Sequence, residues 1–171
     1  MALIKTLNGI SPSIPDSCYL AENATVIGDV EMGENCSIWF NTVIRGDVNS
    51  IRIGNNVNIQ DGVVVHCTFE KSVTKIGNKV SIGHNAIIHG CEIHDRVLIG
   101  MGAIVMDNTV IESEVVVAAG AVVPENSKLE RGGVYAGVPA KRIKELDSRL
   151  IEGEIERIAE NYLKYSDWYR S

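Results

Sequence analysis

The stretch IHDRVLIGMGAIVMDNTVIESEVVVAAGAVV (Ile93–Val123) decides the fold. Within it Ile93, Ile99, Val105, Ile111, Val117 and Val123 follow one another at intervals of six without a break. Upstream the same spacing joins Ile76, Ile82 and Ile88, then Ile53, Ile59 and Val65, and before them Met32, Ile38 and Ile44. The next position is often small, as at Gly54, Gly77, Gly83, Gly100 and Ala118. A repeat of fixed short period marks a solenoid, in which each unit buries its apolar side only against its neighbours. Three hexads make one triangular coil of about 18 residues with an inward aliphatic at each repeat, and successive coils stack as parallel strands about 4.8 Å apart. An amphipathic helix would need apolar residues at 3.6 spacing, which residues 20–125 lack. The β-branched enrichment and recurrent Gly and Asn fit short strands joined by tight corners. The chain is therefore expected to be all-β, a parallel β-helix over residues 1–135.

After the coils the pattern changes. GGVYAGVPAKRIK (Gly132–Lys144) is a Gly/Pro turn region that ends the last coil. Beyond it Ile143, Leu146, Leu150, Ile151, Ile155, Ile158, Tyr162 and Leu163 recur at three- and four-residue steps. Residues 136–171 thus read as a turn and an amphipathic helix, or two short ones, docked along the solenoid or on a neighbouring subunit.

Composition excludes several function classes. A net charge of −6 with scattered basic residues argues against a nucleic-acid or anionic-membrane surface. No stretch approaches about 18 apolar residues, and MALIKTLNG lacks the apolar core of a signal peptide, so a cytoplasmic protein is expected. Cys18, Cys36, Cys67 and Cys91 have no CxxC spacing and read as free thiols.

Three histidines interrupt the lattice. Val65 and Ile88 each close a three-hexad coil, so His66 and His89 both hold the second position of the third face. Their separation of 23 residues exceeds one coil by five, which a corner insertion between Phe69 and Lys75 supplies. The two imidazoles should therefore stack on adjacent coils, close enough to share one metal ion. Arg45 holds the same address one coil earlier. His84 is different: it takes the third position of the second face, and its 18-residue separation from His66 is an accident of the insertion. From within one chain it points away from the pair, and it completes a site only from another subunit. A threefold assembly would build one composite site at each interface. Three neutral imidazoles leave a fourth position open on Zn²⁺, at about 2.0–2.1 Å from each nitrogen, and such an ion lowers the pKa of bound water to about 7. His94 also takes a second position but has no stacked imidazole, and reads as a surface corner.

VIRGDV (Val43–Val48), NVNIQDGVVVH (Asn56–His66) and IGHNAIIHGCEI (Ile82–Ile93) resemble the γ-class carbonic anhydrase family over nearly all the chain. The resemblance implies a left-handed β-helix and a homotrimer, with Zn²⁺, Fe²⁺ or Co²⁺ held at each interface by His66, His84 and His89. It implies reversible hydration of CO2 to bicarbonate by a hydroxide generated on the metal. Gln60 matches the residue expected to orient hydroxide or CO2, and Arg45 and Asp47 resemble an interface ion pair. Asn58 and Asp61 would orient Gln60 or a ligand histidine. Tyr162 resembles a tyrosine near the site in some members, with Tyr165 as a competitor. The chain departs from the best-studied archaeal pattern, because Val48 follows Asp47 and the insertion FEKSVTK carries only Glu70 as an acid. An acidic proton shuttle is thus missing, and low activity is expected.

Two alternatives stay open. Acyl-CoA-dependent acyltransferases share the hexapeptide solenoid and the GVYAGVPAKRIK type of ending, with one histidine as general base. A metal-binding subunit with little anhydrase activity would keep the three histidines alone.

Overall fold

Each inward aliphatic of the six-residue lattice finds its counterpart one coil away as its neighbour. On the first face Met32, Ile53, Ile76, Ile93, Ile111 and Leu129 pair in succession. On the second, Leu20, Ile38, Ile59, Ile82, Ile99 and Val117 do so. The third carries Val26, Ile44, Val65, Ile88, Val105 and Val123. All these strand pairs are parallel, as one coil above another requires. The computed structural model describes residues 1–170 and thus shows the β-solenoid that the repeat predicts; Ser171, the end of the expected tail, lies outside the described residues.

The core is the column enclosed by the three faces. Ile38, Ile44, Ile59, Ile82, Ile88 and Ile99 are all 0% exposed, and full burial of such a side chain stabilises by about 1.5–3 kcal/mol. Asparagines turn the corners: Asn35, Asn41, Asn56, Asn85, Asn108 and Asn126 hold φ between 55° and 61°, a left-handed conformation that Asn tolerates best among residues with a side chain. Cys36, Cys67 and Cys91 are buried and Cys18 half-buried, all as free thiols.

Two corners carry extra residues. The strand Val43–Ile53 runs through its corner without ending, so its first half pairs with the third face and its second half with the first. Gly46 permits the bend, because a Cβ there would lie 2.5 Å from the Asp29 carbonyl oxygen. The second insertion spans 67–73, between the strands Val64–His66 and Thr74–Ile76. It therefore ends before Lys75, which the sequence had placed at its limit and which instead pairs with Arg52 and Glu92.

The C-terminal region departs further from expectation. Lys141–Glu145 is a strand that turns back antiparallel onto Gly133–Ala136. Ile143 lies in that strand, 61% exposed, and not on a helix. Backbone pairing with the last coil outweighs the three- and four-residue spacing there. Helical structure starts at Ser148, capped by the Asp147 carboxylate accepting from the Leu150 N–H at 3.0 Å. A π-helical segment, Ile151–Glu156, leads into the α-helix Arg157–Trp168. That helix docks on the second face of its own solenoid, against the strands Ser37–Ile38 and Asn58–Ile59. No helix among the described residues is long and apolar enough to cross a membrane.

Because Ile82 is walled by Ile59 below and Ile99 above, Ile82→Ala leaves a cavity that neighbouring coils cannot fill. Denaturant unfolding should show a loss of about 2–5 kcal/mol.

Candidate metal centre

His66 and His89 are register partners at the ends of the strands Val64–His66 and Ile87–His89. Their rings lie 5.3 Å apart between centroids, and His66 Nδ1 is 3.3 Å from His89 Nε2. The structure therefore stacks the pair as the lattice count predicts.

Each of the three lattice histidines leans on a carboxylate. Asp47 Oδ1 lies 2.9 Å from His66 Nε2, Asp107 Oδ2 lies 2.8 Å from His89 Nδ1, and Asp61 Oδ2 lies 2.9 Å from His84 Nδ1. An ionised carboxylate only accepts, so these ring nitrogens donate. In neutral imidazoles the remaining nitrogens then carry the lone pairs, and those of His66 and His89 face each other. Two ligands about 2.05 Å from one tetrahedral ion sit roughly 3.3–3.4 Å apart, so the observed separation suits a shared metal. The donor set fits the implied ion.

Asp47 comes from the first corner insertion and also pairs with Arg45 of its own chain. Burial by itself would raise the Asp47 carboxyl; hydrogen bonds from His66 and Arg45 outweigh it and hold the group below the ordinary aspartate range. Asp107 follows the same pattern: burial pushes it up, and bonds from Ser72 and His89 bring it below the usual value. Both are thus anions where a histidine N–H needs an acceptor.

His84 stands apart. Among the described residues, no three or more His, Cys, Asp or Glu side chains gather around one point within the chain. Its Nε2 instead lies 3.5 Å from the Tyr162 hydroxyl. Burial, with the Asp61 carboxylate nearby, pushes that hydroxyl up to about 12, so Tyr162 keeps its proton at neutral pH. Tyr165 packs on the Tyr162 ring, centroids 5.5 Å apart, and it is Tyr162 that reaches the histidine.

Gln60 and Asn58 are almost fully buried on the second face. The Gln60 amide N–H donates to Asn58 Oδ1 at 3.0 Å, and Asn58 in turn donates to the Ser81 hydroxyl at 2.6 Å. This chain fixes the orientation of Gln60, the role expected for Asn58, while Asp61 serves a histidine. His94 pairs with Glu92 at 3.1 Å on the first face, away from the other three.

Three features escaped sequence reasoning. Asp107 lies on the coil above His89 and was findable, since Val105 pairs with Ile88 and so brings Asp107 beside Gly90. Ser72, in the insertion, has no lattice address. Trp39 organises an aromatic cluster, 5.3 Å from the Tyr162 ring and 5.2 Å from that of Tyr19. With Phe40, Asp61, Tyr165 and Tyr169 it lines a pocket of about 230 Å³.

Known proteins resemble this chain over most of its length. The family description "Bacterial transferase hexapeptide (six repeats)" matches residues 11–46 and 90–125, in keeping with the left-handed hexapeptide solenoid. "Carbonic anhydrase" of Geobacillus kaustophilus is 43% identical over 99% of the chain and 92% of its own length. "Gamma carbonic anhydrase 2, mitochondrial" of Arabidopsis thaliana is 39% identical over 94% of the chain, which spans 59% of that protein's length. A crystal structure of a hexapeptide transferase family protein from Anaplasma phagocytophilum superposes with a TM-score of 0.93 at 40% identity, covering 98% of both chains.

Trp39, 5% exposed, is the contact that seats the C-terminal helix. Trp39→Ala should destabilise by about 3–5 kcal/mol and open the tail to trypsin at Arg157 and Lys164, and limited proteolysis reads the release directly.

Proposed function

The chain belongs to the γ-class carbonic anhydrase family, and we propose that it hydrates CO2 reversibly at a metal ion shared between subunits of a homotrimer. The carbonic anhydrase relatives imply a metal cofactor; Zn²⁺, Fe²⁺ and Co²⁺ all suit imidazole donors. His66 and His89 of one chain and His84 of the next would hold it. The observation that carries this reading is the facing pair of imidazole nitrogens 3.3 Å apart, each ring fixed by its own carboxylate.

Assembly has support on the same face. Val64 and Ile87, both 38% exposed, stack outward beside His66 and His89, and Ile104 and Val122 continue the column. An apolar stripe of this kind seeks cover. A second prism laid on it brings a foreign second face, with its His84, towards the pair.

A metal held by these histidines would supply a water acidified to a pKa of about 7, and so a nucleophile at neutral pH. The residues do the rest. The aromatic pocket beside His84 offers an apolar approach for CO2. Gln60, oriented by its donation to Asn58, would use its remaining amide groups to orient the attacking group. Tyr162, protonated, presents an O–H donor next to His84 for the oxygen on which negative charge develops as CO2 becomes bicarbonate. Neither insertion supplies an acidic relay: Val48 stands where one was expected, and Glu70 is the sole acid at 67–73. Proton export then falls to buffer.

An acyltransferase would need one histidine as base, and three histidines each backed by a carboxylate exceed that requirement. A metal-binding subunit with little turnover would share every feature but rate.

Metal analysis should find about one ion per chain, and His66→Ala, His84→Ala and His89→Ala should each abolish it. Metal-free wild type that binds acetyl-CoA would sink the reading. Mixing His66→Ala with His84→Ala subunits should restore one intact site per mixed trimer, which metal content and stopped-flow CO2 hydration both read. Turnover of the loaded protein should rise with imidazole buffer concentration; a buffer-independent rate would show an internal proton relay.

A further inference from the structure

Asp107 backs the His89 ring, and Ser72 lies behind Asp107 in turn. The Ser72 hydroxyl donates to Asp107 Oδ1, while Asp107 Oδ2 takes the His89 Nδ1–H at 2.8 Å. Both side chains are well covered: Ser72 is 7% exposed and the Asp107 side chain 14%. Ser72 is itself held, accepting from the Thr68 N–H at 3.0 Å. The insertion carrying it is tied down by Asn49, whose amide donates to the Thr68 and Ser72 carbonyls at 3.1 and 2.9 Å. The contact closes directly over Gly90, where a Cβ would lie 2.1 Å from Ser72 Oγ and 2.2 Å from Asp107 Oδ1. The residue after His89 is thus a glycine where the relay needs the space.

Resting on the metal-site reading above, we infer that Asp107 and Ser72 are positioning residues for His89. Asp107 accepts the Nδ1–H hydrogen bond and so leaves the lone pair on Nε2, the nitrogen that faces His66. Ser72 fixes the carboxylate so that the ring cannot rotate the wrong nitrogen towards the metal. The corner insertion therefore serves the metal site by anchoring a ligand from the outside.

The test measures Zn²⁺ affinity by competition with a chromophoric chelator, and the visible spectrum of the Co²⁺-loaded protein, for the full-length chain. Asp107→Asn should weaken binding about 10- to 100-fold and alter the Co²⁺ bands. Ser72→Ala should act in the same direction to a smaller degree, with the thermal midpoint of the metal-free protein close to wild type. Because Ser72 acts through Asp107, the double variant should be no weaker than Asp107→Asn. Affinities within twofold of wild type for both folded single variants would overturn the inference while leaving the metal reading intact. So would multiplicative losses in the double variant. Wild type that binds no metal would overturn both.

Discussion

The coil-to-coil register is the constraint on which everything else depends. Each strand bonds to the strand one coil above and below, and a displaced register would move the inward aliphatics out of the column. Ile59 must sit over Ile38 and under Ile82, so any surplus residues have to leave the prism at its corners. That explains why a 23-residue separation brings His66 and His89 into contact while an 18-residue separation does not bring His84 to them. Distance along the chain is a poor guide here; address on the lattice is a good one.

The insertions follow from the same constraint and bear on two of the three carboxylate contacts, one by supplying Asp47 and the other by supplying the serine that holds Asp107. Asp47 lies where the strand Val43–Ile53 runs through its corner, and Ser72 in the loop 67–73 locks Asp107. The third carboxylate, Asp61, stacks under His84 on the regular lattice. Regular coils thus place the imidazoles, and the irregular corners orient two of them. When both rings donate to their carboxylates and carry no further proton, the lone pairs of His66 Nδ1 and His89 Nε2 face and repel each other. A cation between them removes that repulsion, which makes the protein's own polar network part of the reason for a metal.

Much of this was legible in the sequence, and the failures have physical causes. The repeat announced the solenoid because it samples one interaction, aliphatic on aliphatic, at every coil. His66 and His89 were readable because they replace small residues at a known address. Asn58, Gln60 and Asp61 were readable as a polar group, although which partner each would take needed side-chain geometry. Ser72 was not, because an insertion has no period to violate. The Lys141–Glu145 strand was misread because Ile143 fits the helical spacing, while the free edge of the last coil pairs the segment instead. Trp39 was overlooked because it follows Ile38 at an outward position, where an aromatic residue gains its meaning only from the helix that covers it.

Assembly and chemistry are coupled on the proposed reading. His66 and His89 ride on one rigid face and His84 on another, and the solid aliphatic column behind each prevents either from reaching across. The free energy of metal binding then becomes interface free energy, because the ion bonds to both subunits or to an incomplete site. The outward column of Val64, Ile87 and Ile104 needs only to bring the faces together, and three imidazoles set their exact register. Without a partner, His84 has somewhere to rest: Asp61 holds one nitrogen and the Tyr162 hydroxyl faces the other. Capture of the ion would exchange the Tyr162 contact at Nε2 for a metal bond while Asp61 keeps its hold on Nδ1, so one of the two contacts that orient the ring persists through association.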